Sequence, residues 1–244
     1  MTIVRQRGVA TLGVLAAIAL AAGPAHGQRP RLPGRPSTGP SPEVARLLQR
    51  IDTTRALFQN ATYLLYQSAS VMEAVVATQE RRAEIKRELA SADSIEQRGG
   101  ENRVQLNAED RATGLEQATA ARRYEQAQLS ETQSRNVSNV GFNSAVALLM
   151  DAFALNEARQ LIGEAQRAAQ SIGSDPAQLA HANRLRAAAT EDLPAIVNAV
   201  PQQQRLGSAI RASVQQARAA NQAVQVSEAT ARSDAPRPID INAI

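Results

Sequence analysis

The sequence predicts an all-α protein, an antiparallel helical bundle of about four to six helices that carries a polar helical hairpin. Three observations predict it. Between Glu43 and Arg98 there is neither glycine nor proline. Within that run Val44, Ile51, Phe58, Leu65 and Met72 recur every seven residues, the repeat of a helix that buries one stripe. No segment before the last dozen residues carries a strand signal.

The chain opens with Arg5 and Arg7 and no acid, then an uncharged run from Gly8 to Ala22, then Pro24 and the small-residue triplet Ala25-His26-Gly27. This is the layout of a secretory signal peptide over residues 1–27, with cleavage expected before Gln28. The apolar run is short against the ~20 residues of a spanning helix. No cysteine follows it, so a lipid-modified N-terminus is not expected. No later stretch reads as membrane-spanning, and the expectation is a periplasmic or secreted chain with no transmembrane segment. Residues 28–42 (QRPRLPGRPSTGPSP) read as a flexible linker rich in Pro, Gly and Arg, with Pro30, Pro33 and Pro36 at polyproline spacing.

The bundle is expected over residues 43–232. Ser41-Pro42-Glu43 combines a cap, a proline suited to the first turn and an acid near the positive helix end. Leu47, Leu48, Leu57, Leu64, Val71, Val75 and Val76 widen the first stripe. Past Val76 it thins: residues 77–135 hold only Ile85, Leu89, Ile95, Val104, Leu106, Leu115, Tyr124 and Leu129 as large apolar or aromatic residues. Gly99-Gly100 breaks this stretch, and Asn107 with Asp110 restarts a helix. So narrow a seam predicts a hairpin that leaves the body, with flat packing on the bundle as the alternative.

A break or bend is expected at Asn136–Gly141. A third helix then follows through Phe142, Val146, Phe153, Leu161 and Ile172, ending at Gly173. Asp175-Pro176 marks a further helix start, Pro194 and Pro201 punctuate a short apolar stretch, and a last helix runs from Leu206 to about Arg232. The tail, 233–244, is expected to be loose despite Ile239, Ile241 and Ile244.

Charge and residue types exclude several functions. The formal charge is +4, but it falls to −1 for residue 43 onward once Arg5, Arg7, Arg29, Arg31 and Arg35 are set aside. Six aromatic residues and a neutral body speak against nucleic-acid binding, which wants a basic face and stacking platforms. There is no cysteine, so neither disulfides nor thiolate chemistry enter. His181 is the only histidine beyond the leader. A His/Cys zinc site is excluded, and the Gln178-Leu179-Ala180 preceding it lacks the carboxylate of a di-iron motif. Met72 with His181 could ligate a haem by residue type alone; a surface or core-edge histidine is the simpler reading.

Glu80, Glu84 and Glu88 interleave with Arg81, Arg82, Lys86 and Arg87, the mark of a charge-laced solvated helix. Asn60-Ala61-Thr62 and Asn136-Val137-Ser138 match the glycosylation sequon by chance in this reading. Phe58, Tyr63 and Tyr66 read as core filling, and Ala118, Ala120 and Ala121 would permit close helix contact. No catalytic, cofactor-binding or metal-binding residues emerge, and no cofactor is expected. The functional expectation is a non-catalytic structural or protein-interaction role in the cell envelope, with a protein partner. Its rival is a binding or chaperone-like protein that holds an apolar ligand or unfolded client.

Overall fold

The computed structural model describes residues 39–98, 106–172, 176, 178–227 and 229–244. The expected signal peptide, nearly all of the linker and Gly99-Gly100 lie outside them. The described residues form α1 (Pro42–Val76), α2 (Gln79–Arg98), α3 (Ala108–Ala120), α4 (Arg123–Gln126), α5 (Glu131–Ser171), α6 (Leu179–Ala187) and α7 (Leu193–Ala220). A π-helical turn (Ala188–Asp192) joins α6 to α7, and a 3-10 turn (Ile241–Ala243) ends the chain. No strand occurs among the described residues, and the fold is an all-α helical bundle.

The helix starts follow local chemistry. The Ser41 hydroxyl accepts from Val44 N at 3.3 Å ahead of Pro42 in the first turn. Asn107 accepts from Asp110 N at 3.5 Å, as its spacing predicts. Ser130 and Gln133 form a reciprocal capping box at the head of α5. The run 43–98 is not one helix. It breaks at Ala77, whose ψ of 159° is extended, and Thr78 then caps α2 through Arg81 N at 3.4 Å. Nor does α5 break at Asn136–Gly141; it continues through Gly141 for 41 residues. The predicted start at Asp175-Pro176 lies partly outside the described residues, and α6 itself begins at Leu179. The last helix ends at Ala220, short of Arg232.

Helix α5 is the hub, packed against α1, α6 and α7. By length and composition it could cross a membrane, which the sequence was not expected to offer; its apolar stretch is mostly buried among its neighbours. Two core clusters stack along it. One joins Ala61–Met72 of α1, α3, Tyr124, Val137–Ala147 of α5 and Leu206–Ala217 of α7. The other joins Val44–Ile51, Ala154–Ala169, Leu185 and Leu193–Val200. Between α6 and α7 the π turn widens the backbone by one residue, with Leu193 N donating to Ala188 O, just before Pro194. Pro194 and Pro201 are thus absorbed in one nearly continuous helical run.

Segment 77–135 does not leave the body. Helix α3 packs on α7, with Ala108, Ala112, Leu115 and Ala118 buried, and Tyr124 of α4 is wholly enclosed. Helix α2 lies on α1, where Ile85, Leu89 and Ala92 meet Tyr66 and Ala74. The physical reason is alanine. A seam of small side chains lets backbones approach closely and buries area without large apolar residues. Arg205 adds a two-pronged pair with Glu116, at 3.0 and 2.7 Å, across the α3–α7 contact.

Two glycines separate packing from helix propensity. A Cβ on Gly207 would stand 2.6 to 2.9 Å from three side-chain atoms of Leu148, whereas one on Gly163 meets nothing within 4 Å. Gly163→Ala is therefore expected to stabilise by about 0.5–1 kcal/mol through propensity alone. Gly207→Ala should destabilise by about 1 kcal/mol or more, since overpacking typically costs ~1–3 kcal/mol and offsets that gain. Thermal melts of the two variants should move in opposite directions.

Candidate functional site

The most specific polar geometry lies on one face of α5. Asn136, Asn139 and Asn143 stand at positions i, i+3 and i+7, so they share a face two turns long. The C-terminal tail lies along it. Asn143 accepts from Arg237 N at 2.7 Å and donates to Arg237 O at 2.9 Å. Asn136 repeats this with Asp240, accepting from its N at 3.0 Å and donating to its O at 2.8 Å. Between them Asn139 donates to Pro238 O at 2.7 Å. The tail is therefore docked, contrary to the expectation of a loose end.

The register follows from elementary dimensions. Seven residues of α-helix rise about 10.5 Å. Three residues of extended chain cover about 10 Å. Asparagines seven apart on the helix can thus each grip the N–H and C=O of one residue, the two residues being three apart on an antiparallel extended chain. Pro238 falls where no N–H is required, because Asn139 needs only a carbonyl. All five bonds go to main-chain atoms, so the face reads backbone and leaves the tail side chains free. Net stabilisation of ~1 kcal/mol per bond is the usual scale.

Apolar contacts complete the grip. Ile239 and Ile244 pack on the cluster of α1, α3, α5 and α7, and Ile241 and Ile244 on the α1–α2 cluster. The Arg237 guanidinium sits 4.0 Å over the Phe142 ring and donates to Ser227 Oγ at 3.1 Å. Lys86 of α2 donates to Asn242 O at 2.9 Å. The segment before the tail runs out along α5 and returns. Gln225 N donates to Ser138 Oγ at 2.8 Å, Arg232 stacks on Phe153, and Asp234 accepts from Thr230 and Ala231 N–H groups at the turn. Those bonds hold the Asp234 carboxyl below its ordinary range. Every tail residue from Asp234 onward stays at least partly exposed.

A second feature is a buried polar layer between the two core clusters. Asp151 of α5 is completely buried, and Gln203 of α7 and Thr62 of α1 complete the layer. Burial alone pushes the Asp151 carboxyl up to about 8. The Gln203 amide fits in either orientation. With its nitrogen toward Thr62 Oγ1 (2.9 Å), Thr62 donates to Phe58 O at 2.8 Å, and the Gln203 oxygen is left to accept from a protonated Asp151. With its nitrogen toward Asp151, it donates to both carboxylate oxygens at 3.0 and 2.9 Å and accepts from Thr62. The first arrangement suits a neutral Asp151, the second a charged one.

A third feature is a cleft of about 420 Å³ between α1, α3 and α4, lined by Glu73, Val76, Arg81, Arg111, Leu115 and Tyr124 among others. Its charges answer one another. Glu73 takes Arg81 at 2.8 Å and Arg111 at 3.4 Å, and Arg81 also reaches Glu84 and Glu88. The carboxylates of α2 thus form a solvated ion network, as their interleaving with arginines predicts. Tyr124 is buried at the cleft's edge, and desolvation pushes its hydroxyl up to about 12.

The other residues singled out from sequence are scattered. His181 is half-buried at the start of α6, while Met72 lies in the core cluster at the other end of the bundle, so the two are not brought together. Tyr66 is buried and lies 4.7 Å beneath the Arg111 guanidinium; Tyr63 bonds to Asp93. Phe58 is half-buried against the second cluster. Ala118 packs into the body, while Ala120 and Ala121 are exposed. Asn60 is exposed on α1, whereas the Asn136 amide is spent on Asp240. No group of three or more His, Asp or Glu side chains capable of holding a metal occurs among the described residues. Compared with family models, curated proteins and solved structures, the chain matches none.

Proposed function

We propose that the chain is an exported, non-catalytic protein-interaction element of the cell envelope, acting in the periplasm or outside the cell. The observation that carries this reading is the asparagine face of α5, which holds extended backbone by five main-chain hydrogen bonds without relying on the side chains of what it holds. Main-chain readout of an extended segment is a recurring mode of protein recognition. The N-terminal leader supports the compartment.

The rival reading, a holder of apolar ligands or unfolded clients, calls for a continuous exposed apolar surface. The large hydrophobic residues exposed among the described ones are Leu149, Leu179 and Val226, on three different elements. That distribution favours a specific interaction over a greasy cradle. Crosslinking in intact cells followed by affinity capture tests the function, and intact-mass measurement of the periplasmic fraction tests the export. The expected results are a discrete crosslinked partner and a mature chain starting at Gln28. Full-length chain in the membrane pellet, or no crosslinked protein at all, would defeat the reading.

A further inference from the structure

We infer that the C-terminal tail is a strap, anchored on α5 and ending on α2, and that the seating of α2 on α1 depends on the tail's terminal turn as well as on the α1–α2 contact. The device is internal to the chain and needs no partner.

Three observations carry it. The first is how narrow the attachment of α2 is. Its fully buried side chains among the described residues are Ile85, Leu89 and Ala92, a single stripe at i, i+4 and i+7. Helix α3 packs on α1, α4 and α7, whereas α2 packs on α1 and on the turn Ile241–Ala243. The polar ties from α2 to α1 are Arg81 to Glu73 at 2.8 Å, Arg82 to Val75 O at 3.2 Å, and Asp93 to Tyr63. The first two lie in the opening turn of α2, close to the extended Ala77, so they fix its hinge end.

The second observation is that the tail helps to enclose the stripe. Ile85 and Leu89 are 0% exposed, and the cluster around them draws on Tyr66 and Ala74 of α1, on Leu106, and on Ile241 and Ile244 of the tail. Lys86, next to Ile85, donates to Asn242 O at 2.9 Å. The third is that the terminal turn is held from elsewhere. Asn143 and Asn136 of α5 fix Arg237 and Asp240 through their main chain, and Asp240 caps the turn by accepting from Asn242 N at 3.0 Å. Ala243 and Ile244 line a small recess with Val71 and Val75 of α1 and Gln133 of α5. The main contacts of α5 are with α1, α6 and α7, so the tail is what joins it to α2. Coupling of this kind is reciprocal: whatever loosens the turn loosens α2 by the same factor, and the converse holds.

Amide hydrogen exchange on the full chain tests the strap, because it reads the opening of each helix separately. Ile241→Ser with Ile244→Ser alters two partly exposed tail side chains and no helix residue outside the terminal turn. It should speed exchange between Lys86 and Asp93 roughly tenfold or more, while α6 and the Val44–Ile51 end of α1 stay within about twofold of the unaltered protein. Asn139→Ala with Asn143→Ala changes the anchor and nothing that touches α2. It should speed α2 in the same sense, in step with the amide of Asp240. Leu89→Ala should in turn speed the amides of Asp240 and Asn242.

Unchanged exchange between Lys86 and Asp93 in the serine variant would overturn the strap, since α1 alone would then be holding α2. Equal acceleration of α2 and α6 would overturn it as well, because the tail would then be supporting the whole bundle. So would a freed Asp240 amide in the asparagine variant with α2 still protected. The serine variant leaves α1 to α7 as they are, so its result stands whatever Asn143→Ala does to folding.

Discussion

Replacing Asp151 with asparagine is expected to stabilise the protein at pH 7, by no more than about 4 kcal/mol, and by almost nothing at pH 3.5. Asp151 is 0% exposed, and burial pushes its carboxyl from 3.8 up to about 8 with no charged neighbour contributing. The folded state therefore holds a proton that the unfolded chain releases near pH 4. Between the two values the unfolded state binds fewer protons, so stability falls as pH rises, by about 1.4 kcal/mol per unit, and levels off above the folded value. An asparagine has nothing to titrate. Its amide can donate to the Gln203 oxygen, which keeps the chain from Gln203 to Thr62 to Phe58 O as it stands for the neutral acid. Chemical denaturation of both proteins from pH 4 to pH 9 measures this. A parallel pair of curves would mean that Asp151 is charged and solvated in the folded protein.

The cost of Asp151 at neutral pH invites a reason for its presence. The layer falls where one core cluster ends and the other begins, between Ala147 and Ala154 on α5 and between Val200 and Leu206 on α7. A polar layer at such a boundary penalises any sliding of α1, α5 and α7, since a shift by one turn would leave the carboxyl against apolar side chains.

How much of this was legible in the sequence follows from which side chains carry the contacts. The seven-residue stripe from Val44 to Met72 announced α1, and Ser41 and Asn107 announced two helix starts, while the Ser130/Gln133 capping box that heads α5 emerges from the structure. The docking of α2 and α3 was hidden because Ala92, Ala108, Ala112 and Ala118 do the burying, and alanine is as common on solvated faces. The asparagine face was visible as spacing but read as a break, since three asparagines weaken a helix pattern when their partners are unknown. Its partner is main chain, which leaves no mark in sequence. The apolar Ile239, Ile241 and Ile244 were the one trace that the tail docks.

Excising Thr78 to Ser134 and bridging the gap with a short Gly/Ser link is expected to abolish the cooperative melt. The link is not the cause, because loop-closure cost changes by only ~0.6 kcal/mol for each doubling of loop length. The cause is exposure of α7. Ile210, Val214 and Ala217 share one cluster with Ala112, Leu115, Ala118 and Tyr124, and all these residues are less than a tenth exposed. Taking away α2, α3 and α4 removes Leu115 and Tyr124 at once, together with Ile85 and Leu89 from the flank of α1. Truncating single core side chains costs ~2–5 kcal/mol each, against a total stability of ~5–15 kcal/mol. Two such losses already approach the whole. The finer probe is Leu115→Ala beside Leu65→Ala, the latter in the stripe of α1 and 0% exposed. A docked α3 predicts comparable losses of ~2–5 kcal/mol for both. A hairpin projecting into solvent predicts less than about 0.5 kcal/mol for Leu115→Ala, the usual size of a surface change. Denaturant melts of the two single variants decide between these outcomes, and a wild-type transition in the excised protein would show that the bundle closes without α2, α3 and α4.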